Sequence, residues 1–408
     1  MIVDAYSSAS YFPKAFEKKG YDCVHIQSSD EVLKVFEESF HINEFVANYI
    51  YRGDLEEITR SLKNYSVLCV IAGCECGVEL ADAISESLNL KSNGTRLSEA
   101  RRNKHKMAEA LKAASLPTPK NFKTASWSKL MDWKREESVD YPIVLKPLKS
   151  AGSDSVRICK NESELKDAFY NIAGKRNILG LVNDEVFAQS FLKGSEFIVN
   201  SVSMNGKMYV VAILKGKKIF LEGIGYIYDR EIMMKRRGDK QDALISMHEK
   251  VINALNINHG PAHGEYMLTD DGPVMIEVAA RIAGGVNPKG NDESVGYNQM
   301  DLTVDSYVDE KHFELMTKKD YELKKQFYDI ELNALCEGIV GDTEGFLQKI
   351  SQLPSYSSAH LKVSTGSKVS KTIDLVSSLC NVILVHDDKT VIKKDYEELL
   401  SFSKELVR

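Results

Sequence analysis

An early apolar run of the chain, Val67-Leu68-Cys69-Val70-Ile71-Ala72, is only as long as a strand, and it is apolar at every position. Continuous runs of this kind belong to strands buried on both faces, as in a parallel sheet covered by helices. Gly73 opens a turn, and residues 78–88 carry helical spacing. The same order occurs upstream: an apolar run at 2–5, a polar loop at 6–10, a helical pattern at 12–19 stopped by Gly20, and a strand at 21–26. Strand, loop and helix in succession predict a doubly wound α/β domain over residues 1–95, with ligand-facing loops at the strand ends.

A turn-rich stretch, Lys91-Ser92-Asn93-Gly94-Thr95, marks a boundary, and a long helix is expected over 98–114. Beyond it the pattern is rich in strands, at 143–146, 155–159, 185–191, 196–202, 208–214, 266–268 and 274–278, interrupted by helices at 163–171 and 241–255. After about residue 300 the pattern is mixed α/β, with a strand pair at 381–385 and 390–392 before a closing helix. A chain of 408 residues exceeds the ~250–300 at which a single core stops growing, so a multidomain α/β plus α+β protein is expected.

Composition excludes several classes. With 43% hydrophobic and 27% charged residues the chain is ordinarily globular, and its net charge of −6 lacks the basic footprint of a nucleic-acid binder. No apolar stretch approaches the ~20 residues of a membrane span. Asp4 interrupts any signal-peptide core, so a cytoplasmic protein is expected. Cys23, Cys69, Cys159 and Cys380 sit among apolar neighbours and read as reduced core thiols. Cys74-Glu75-Cys76 has no second pair to complete a metal site, and Gly260-Pro261 between His259 and His263 breaks the helix a zinc pair would need.

Four segments carry chemistry. Lys146 ends an apolar strand and precedes a small-residue loop, Ser150-Ala151-Gly152-Ser153, whose N–H groups can cradle phosphate. No P-loop motif is present. In the segment Gln189-Ser190-Phe191-Leu192-Lys193-Gly194-Ser195-Glu196, Glu196 at a turn can accept from ribose hydroxyls, while Phe191 and Leu192 offer apolar edges to a base. Asp271-Gly272 forms a hairpin turn, and the pairing brings Glu265 and Glu277 to the same end of that hairpin. Two acids so placed repel unless a cation lies between them, and an oxygen-only set suits Mg²⁺ bridging phosphates. Arg281 then precedes the pair Gly284-Gly285. Taken singly, each segment has an ordinary structural explanation.

In order and together, the four resemble the ATP-grasp superfamily over about residues 98–290, and within it the carboxylate–amine ligases, including the L-amino-acid (dipeptide) ligases. The resemblance implies an ATP-grasp fold of two α+β lobes over 96–300, the small lobe at about 120–190, and a subdomain at 301–408 completing the large lobe. It implies that ATP is held by Lys104, Lys146, Ser153 of the closing loop, Gln189, Phe191, Leu192 and Glu196. Gln189 stands where the family usually has Glu, and its carbonyl can accept the same adenine N–H bond. One or two Mg²⁺ ions (Mn²⁺ being an alternative) are expected on Glu265 and Glu277, with Arg281 facing the transferred phosphoryl group. His263, close to Glu265 in the sequence, is expected to be catalytic, donating to a carboxylate or acyl phosphate. Ala279 replaces an Asn common at the second metal strand.

The activity implied is ATP-dependent amide formation through an acyl phosphate, on small amino-acid-like carboxylates and on amines either free or carrier-borne. The expected state is a homodimer with no nucleic-acid or membrane partner. A carboxylase or purine-pathway member of the superfamily, or a nucleotide-binding protein without turnover, are the alternatives. Substrate contacts are expected from the loop at 6–10, Glu75, Tyr226, Arg230, His263 and residues 284–287, with Glu75 more simply read as a solvated loop acid.

Overall fold

The structure, a computed structural model, describes residues 1–221, 224–285 and 287–407. Short apolar segments near the N-terminus assemble a parallel sheet in the order Ala47–Ile50, Val24–Gln27, Ile2–Val3, Ile71–Ala72. Only Ile71–Ala72 of the long apolar run pairs as strand; Leu68 is exposed, so the run is not buried along its whole length. The polar loop expected at 6–10 is instead the 3₁₀ turn Ser7–Tyr11. Gly73 permits the closest approach in this domain, since a Cβ there would lie 2.3 Å from the Asp4 carbonyl oxygen.

A second sheet, antiparallel in the order Asn121–Thr124, Val186–Ser190, Ile143–Pro147, Arg157–Cys159, packs on helices Trp127–Glu136 and Glu162–Ile172. Its core of Leu130, Trp133, Ile143, Leu145, Leu165 and Phe169 is fully formed within the lobe. The third sheet has eight antiparallel strands, ordered Gly272–Ala279, Gly260–Thr269, Ser195–Met204, Lys207–Leu221, Gly225–Met233, Gln326–Leu332, Cys380–His386, Tyr356–Leu361. Strands from the last third of the chain therefore extend the same sheet that carries the Glu265–Glu277 hairpin.

Two expected elements differ. The helix predicted at 98–114 is broken: a 3₁₀ turn, Glu99–Arg101, precedes the helix Lys104–Ala113. Asn103 causes the break, because its side-chain oxygen accepts from the N–H groups of His105 and Lys106 at 3.0 and 3.2 Å and caps a new helix. The strand expected at 390–392 is the first turn of helix Lys389–Leu406, capped by Asp388, which accepts from Thr390 N–H at 2.7 Å. Among the described residues no helix is long and apolar enough to cross a membrane.

The N-terminal domain is fastened to the large lobe by a buried ion pair. Arg101, 0% exposed, donates from Nη2 to Asp82 at 2.8 Å and from Nη1 to the Leu255 carbonyl at 2.9 Å, while Ser98 Oγ donates to the same carboxylate at 2.6 Å. Removing one partner strands a buried charge. Asp82→Ala is expected to lower stability by about 3–5 kcal/mol, measured as a thermal or denaturant midpoint. A loss under 1 kcal/mol would show that the guanidinium finds water or another acceptor.

Candidate active site

The three sheets converge on one cavity of about 630 Å³. It is lined by Lys104, Lys146, Ser153, Gln189, Phe191, Leu192, Glu196, His263, Glu265, Glu277 and Arg281, the residues expected from the sequence to serve ATP, metal and phosphoryl transfer. They arrive from four directions. Lys104 opens a helix, Lys146 and Gln189 face inward from neighbouring strands of the small lobe, Glu196 begins a strand of the large sheet, and the hairpin supplies the two acids.

The hairpin register is direct. Glu265 and Glu277 are cross-strand partners, with a bulge immediately after Glu265 that lets both acids keep to the cavity. Lys104 Nζ lies 2.9 Å from Glu277 Oε1 and donates to the Ser150 carbonyl at 3.1 Å. Thus Lys104 ties the metal-type acid to the phosphate-type loop. Desolvation opposes ionisation of Glu265, but His263, Lys218 and Lys146 around it outweigh that and hold its carboxyl down at about 2. Paired carboxylates in a cavity with cationic neighbours are an oxygen donor set that fits Mg²⁺.

Lys146 is buried, and the loss of hydration lowers its ammonium to about 8, against the pull of Glu277. Below that pH it offers phosphate a full charge; above it, an uncharged amine. The pH profile of kcat/KM for ATP is expected to fall through an inflection near 8, and Lys146→Met should remove the inflection along with most of the activity. An inflection retained in the variant would assign it elsewhere.

Asp154 also pins the loop after Lys146. Asp154 accepts from Ser150 Oγ at 2.7 Å, from Ser155 Oγ at 2.9 Å and from Ile178 N–H at 3.2 Å, while Gly152 and Ser153 adopt positive φ. Glu196 is held by Lys218 Nζ at 2.6 Å and the Tyr228 hydroxyl at 2.7 Å, neither of which was singled out from sequence. Both lie on long strands whose charged residues mask the apolar pattern.

Substrate-side residues are sorted by the geometry. Glu75 is not solvated: it is 4% exposed, accepts from Arg281 Nε at 3.0 Å and lies 3.6 Å from Arg102 Nε. Tyr226 is 56% exposed, packs on Phe220 and does not line the cavity. Arg230 does line it, but its guanidinium pairs with Asp229 and with the Tyr396 hydroxyl. Tyr6, Ser7, Ser8, Gly284 and Gly285 line the cavity, Asn287 instead caps helix Pro288–Val295, and Val286 lies outside the described residues. His263 places Nδ1 2.8 Å from Asn200 Oδ1 and Nε2 3.5 Å from Glu265.

A small antiparallel lobe facing a large sheet, with lysines on one side of the gap and paired acids on the other, is a clamp for a nucleoside triphosphate; it is the ATP-grasp fold. Residues 139–289 match the ATP-grasp domain family. The chain is 29% identical over 410 residues to dapdiamide A synthase of Enterobacter agglomerans, covering 98% of this chain and 94% of that protein. Its fold is similar to that of the L-amino acid ligase from Bacillus licheniformis, with TM-score 0.77, 20% identity and coverage of 98% and 95% of the two chains. It is similar too to carboxyaminoimidazole ribonucleotide synthase from Aspergillus clavatus complexed with ATP, with TM-score 0.73, 13% identity and coverage of 99% and 98%. Residues 139–289 are thus an ATP-grasp domain, and the likeness to a synthase and a ligase over nearly the whole chain supports an ATP-dependent carboxylate–amine ligase.

Proposed function

We propose that this ligase activates an amino-acid-like carboxylate as its acyl phosphate and passes the acyl group to an amine, with the residues of the single cavity in the following roles. Lys104, Lys146 and the Ser153 loop hold the ATP phosphates. Gln189, Phe191 and Leu192 receive adenine, and Glu196 the ribose. Mg²⁺ bound by Glu265 and Glu277 would neutralise charge on those phosphates. Arg281 spreads the charge that develops when a substrate carboxylate oxygen attacks the γ-phosphoryl group. The acyl phosphate is open to hydrolysis, so the loop at 150–156 closes over it. The amine nitrogen then forms its bond to the acyl carbon while the carbon–oxygen bond to phosphate breaks. Phosphate leaves with the electron pair, and the protons shed by nitrogen pass to phosphate and solvent. No enzyme nucleophile is required.

The observation that supports this reading most is the joint placement of Arg281, Glu265, Glu277 and both lysines around one cavity. An amino-acid-like acid is favoured by Glu75, which lies in the same cavity against Arg281. The decisive experiment is phosphate release from MgATP over a matrix of amino acids and amines, alone and in pairs, with Glu277→Ala as the blank. Release that requires an acid and an amine together, with amide found by mass spectrometry, is expected. ATP binding without release on any pair would overturn catalysis.

His263 acts through Glu265 in this scheme, as a positioning residue. His263→Ala is expected to raise the Mg²⁺ concentration for half-maximal rate several-fold and lower kcat about tenfold, within the ~10–100-fold of an outer-shell metal partner. KM for ATP at saturating Mg²⁺ should barely move. A pure KM effect for ATP would remove His263 from the metal site.

A further inference from the structure

We infer that the wall of the cavity formed by Glu231, Asp329 and Glu331 seats the amine substrate as a cation and selects an amine carrying a second positive charge. This rests on the ligase reading above and names the substrate class of that same site. Glu231 lies directly across from Asp329 on adjacent antiparallel strands, and Glu331, two residues further along, shares its face. All three line the cavity that holds Arg281 and Glu265.

The charge in this wall is not balanced. Lys362 donates to Glu331 at 2.9 Å, but its remaining bonds, to the Leu375 carbonyl at 2.9 Å and Ser378 Oγ at 2.7 Å, exhaust its three protons. Arg230 is turned toward Asp229 and Tyr396. Asn381, itself buried, donates to Asp329 at 2.5 Å and Glu331 at 3.1 Å and brings no charge. Glu231 has no hydrogen-bond partner among the described residues, and its carboxyl opens into the cavity. Burial, then Asp329 and Glu265, pushes Glu231 well above the usual carboxylate range, and burial with Glu331 beside it lifts Asp329 to about 7. Lys362 balances one of the three acids, and the wall is left short of positive charge.

A metal ion does not fit the spacing. Among the described residues, Asp305, Asp309 and His312 are the set of three ligand atoms within 4.8 Å of one another, and Lys19 already lies against its two acids. The carboxylate substrate does not fit either, because this wall of acids offers it no counter-charge, whereas Arg281 does. The amine substrate remains, and it arrives as ammonium. Its attacking nitrogen must be uncharged to react, so the cation that stays on the wall is a second one. A neutral α-amino acid would bring its own carboxylate against three acids, which selects against it.

Titration calorimetry of the full chain with MgADP, 1,4-diaminobutane and n-butylamine tests this. The diamine is expected to bind at least tenfold tighter than the monoamine. Glu231→Gln and Asp329→Asn, close in shape to the native side chains, should each cut that preference at least fivefold while leaving ADP affinity unchanged. Failure to bind ADP by the wild-type chain would sink the ligase reading, and the inference with it. ADP binding with equal affinity for the two amines, or a preference untouched in both variants, overturns the inference alone. The comparison of the two amines on the wild-type chain holds whether or not a variant folds.

Discussion

An Arg281→Lys protein is expected to keep KM for ATP within about threefold of wild type and to lose about 10²–10³-fold in kcat, the range found when one preorganised donor to a transition-state charge is removed. The geometry requires arginine. Its Nε donates to Glu75 at 3.0 Å and its Nη1 to the Ile282 carbonyl at 2.7 Å, which fixes the plane of the guanidinium. Its Nη2 has no bond among the described residues and remains for the cavity. A lysine ammonium can reach one of these places and not the others, so charge is conserved while aim is lost. Glu75→Gln separates the two properties: it keeps Arg281 but weakens its hold, and should lower kcat less than Arg281→Lys does. Steady-state kinetics at saturating MgATP decide the matter. A kcat within threefold of wild type for Arg281→Lys would take the residue out of the phosphoryl transfer.

The parts of this site legible in the sequence are those in which neighbouring residues along the chain do the work. Asp271-Gly272 sets a hairpin register by its turn, so the meeting of Glu265 and Glu277 follows from counting back along two strands. Lys146 is readable because an apolar strand ends on it. What was hidden depends on partners distant in sequence. Glu75 looks like any loop acid until Arg281, far along the chain, folds against it. Lys218 and Tyr228 hold Glu196 from strands Lys207–Leu221 and Gly225–Met233, where Lys215, Gly216, Lys217 and Lys218 interrupt the apolar pattern and Lys218 lines the cavity rather than a core. The acids of the last third alternate within Gln326–Leu332 as surface residues would, yet the sheet extends far enough for Asp329 and Glu331 to reach the cavity. The break at Asn103 shows a local competition: one side-chain oxygen satisfies two N–H groups and restarts a helix that apolar spacing alone runs through.

Glu277→Gln is expected to have the largest effect of any single substitution in the site, roughly 10³-fold or more in kcat, because one side chain serves two positions there. It faces Glu265 across the hairpin, where the proposed divalent cation would need both charges, and it anchors Lys104 at 2.9 Å. The amide keeps the size but offers the cation a weaker, neutral donor, and it releases Lys104, whose ammonium then competes with the cation for the phosphates. Raising Mg²⁺ should therefore recover little of the lost rate. Glu265→Gln leaves the Lys104 contact intact, and its deficit should shrink further as Mg²⁺ is raised. The discriminating measurement is the Mg²⁺ dependence of phosphate release for the two variants side by side. Equal recovery by both would mean that Lys104 binds phosphate independently of Glu277, and that the hairpin acids act only as a metal pair.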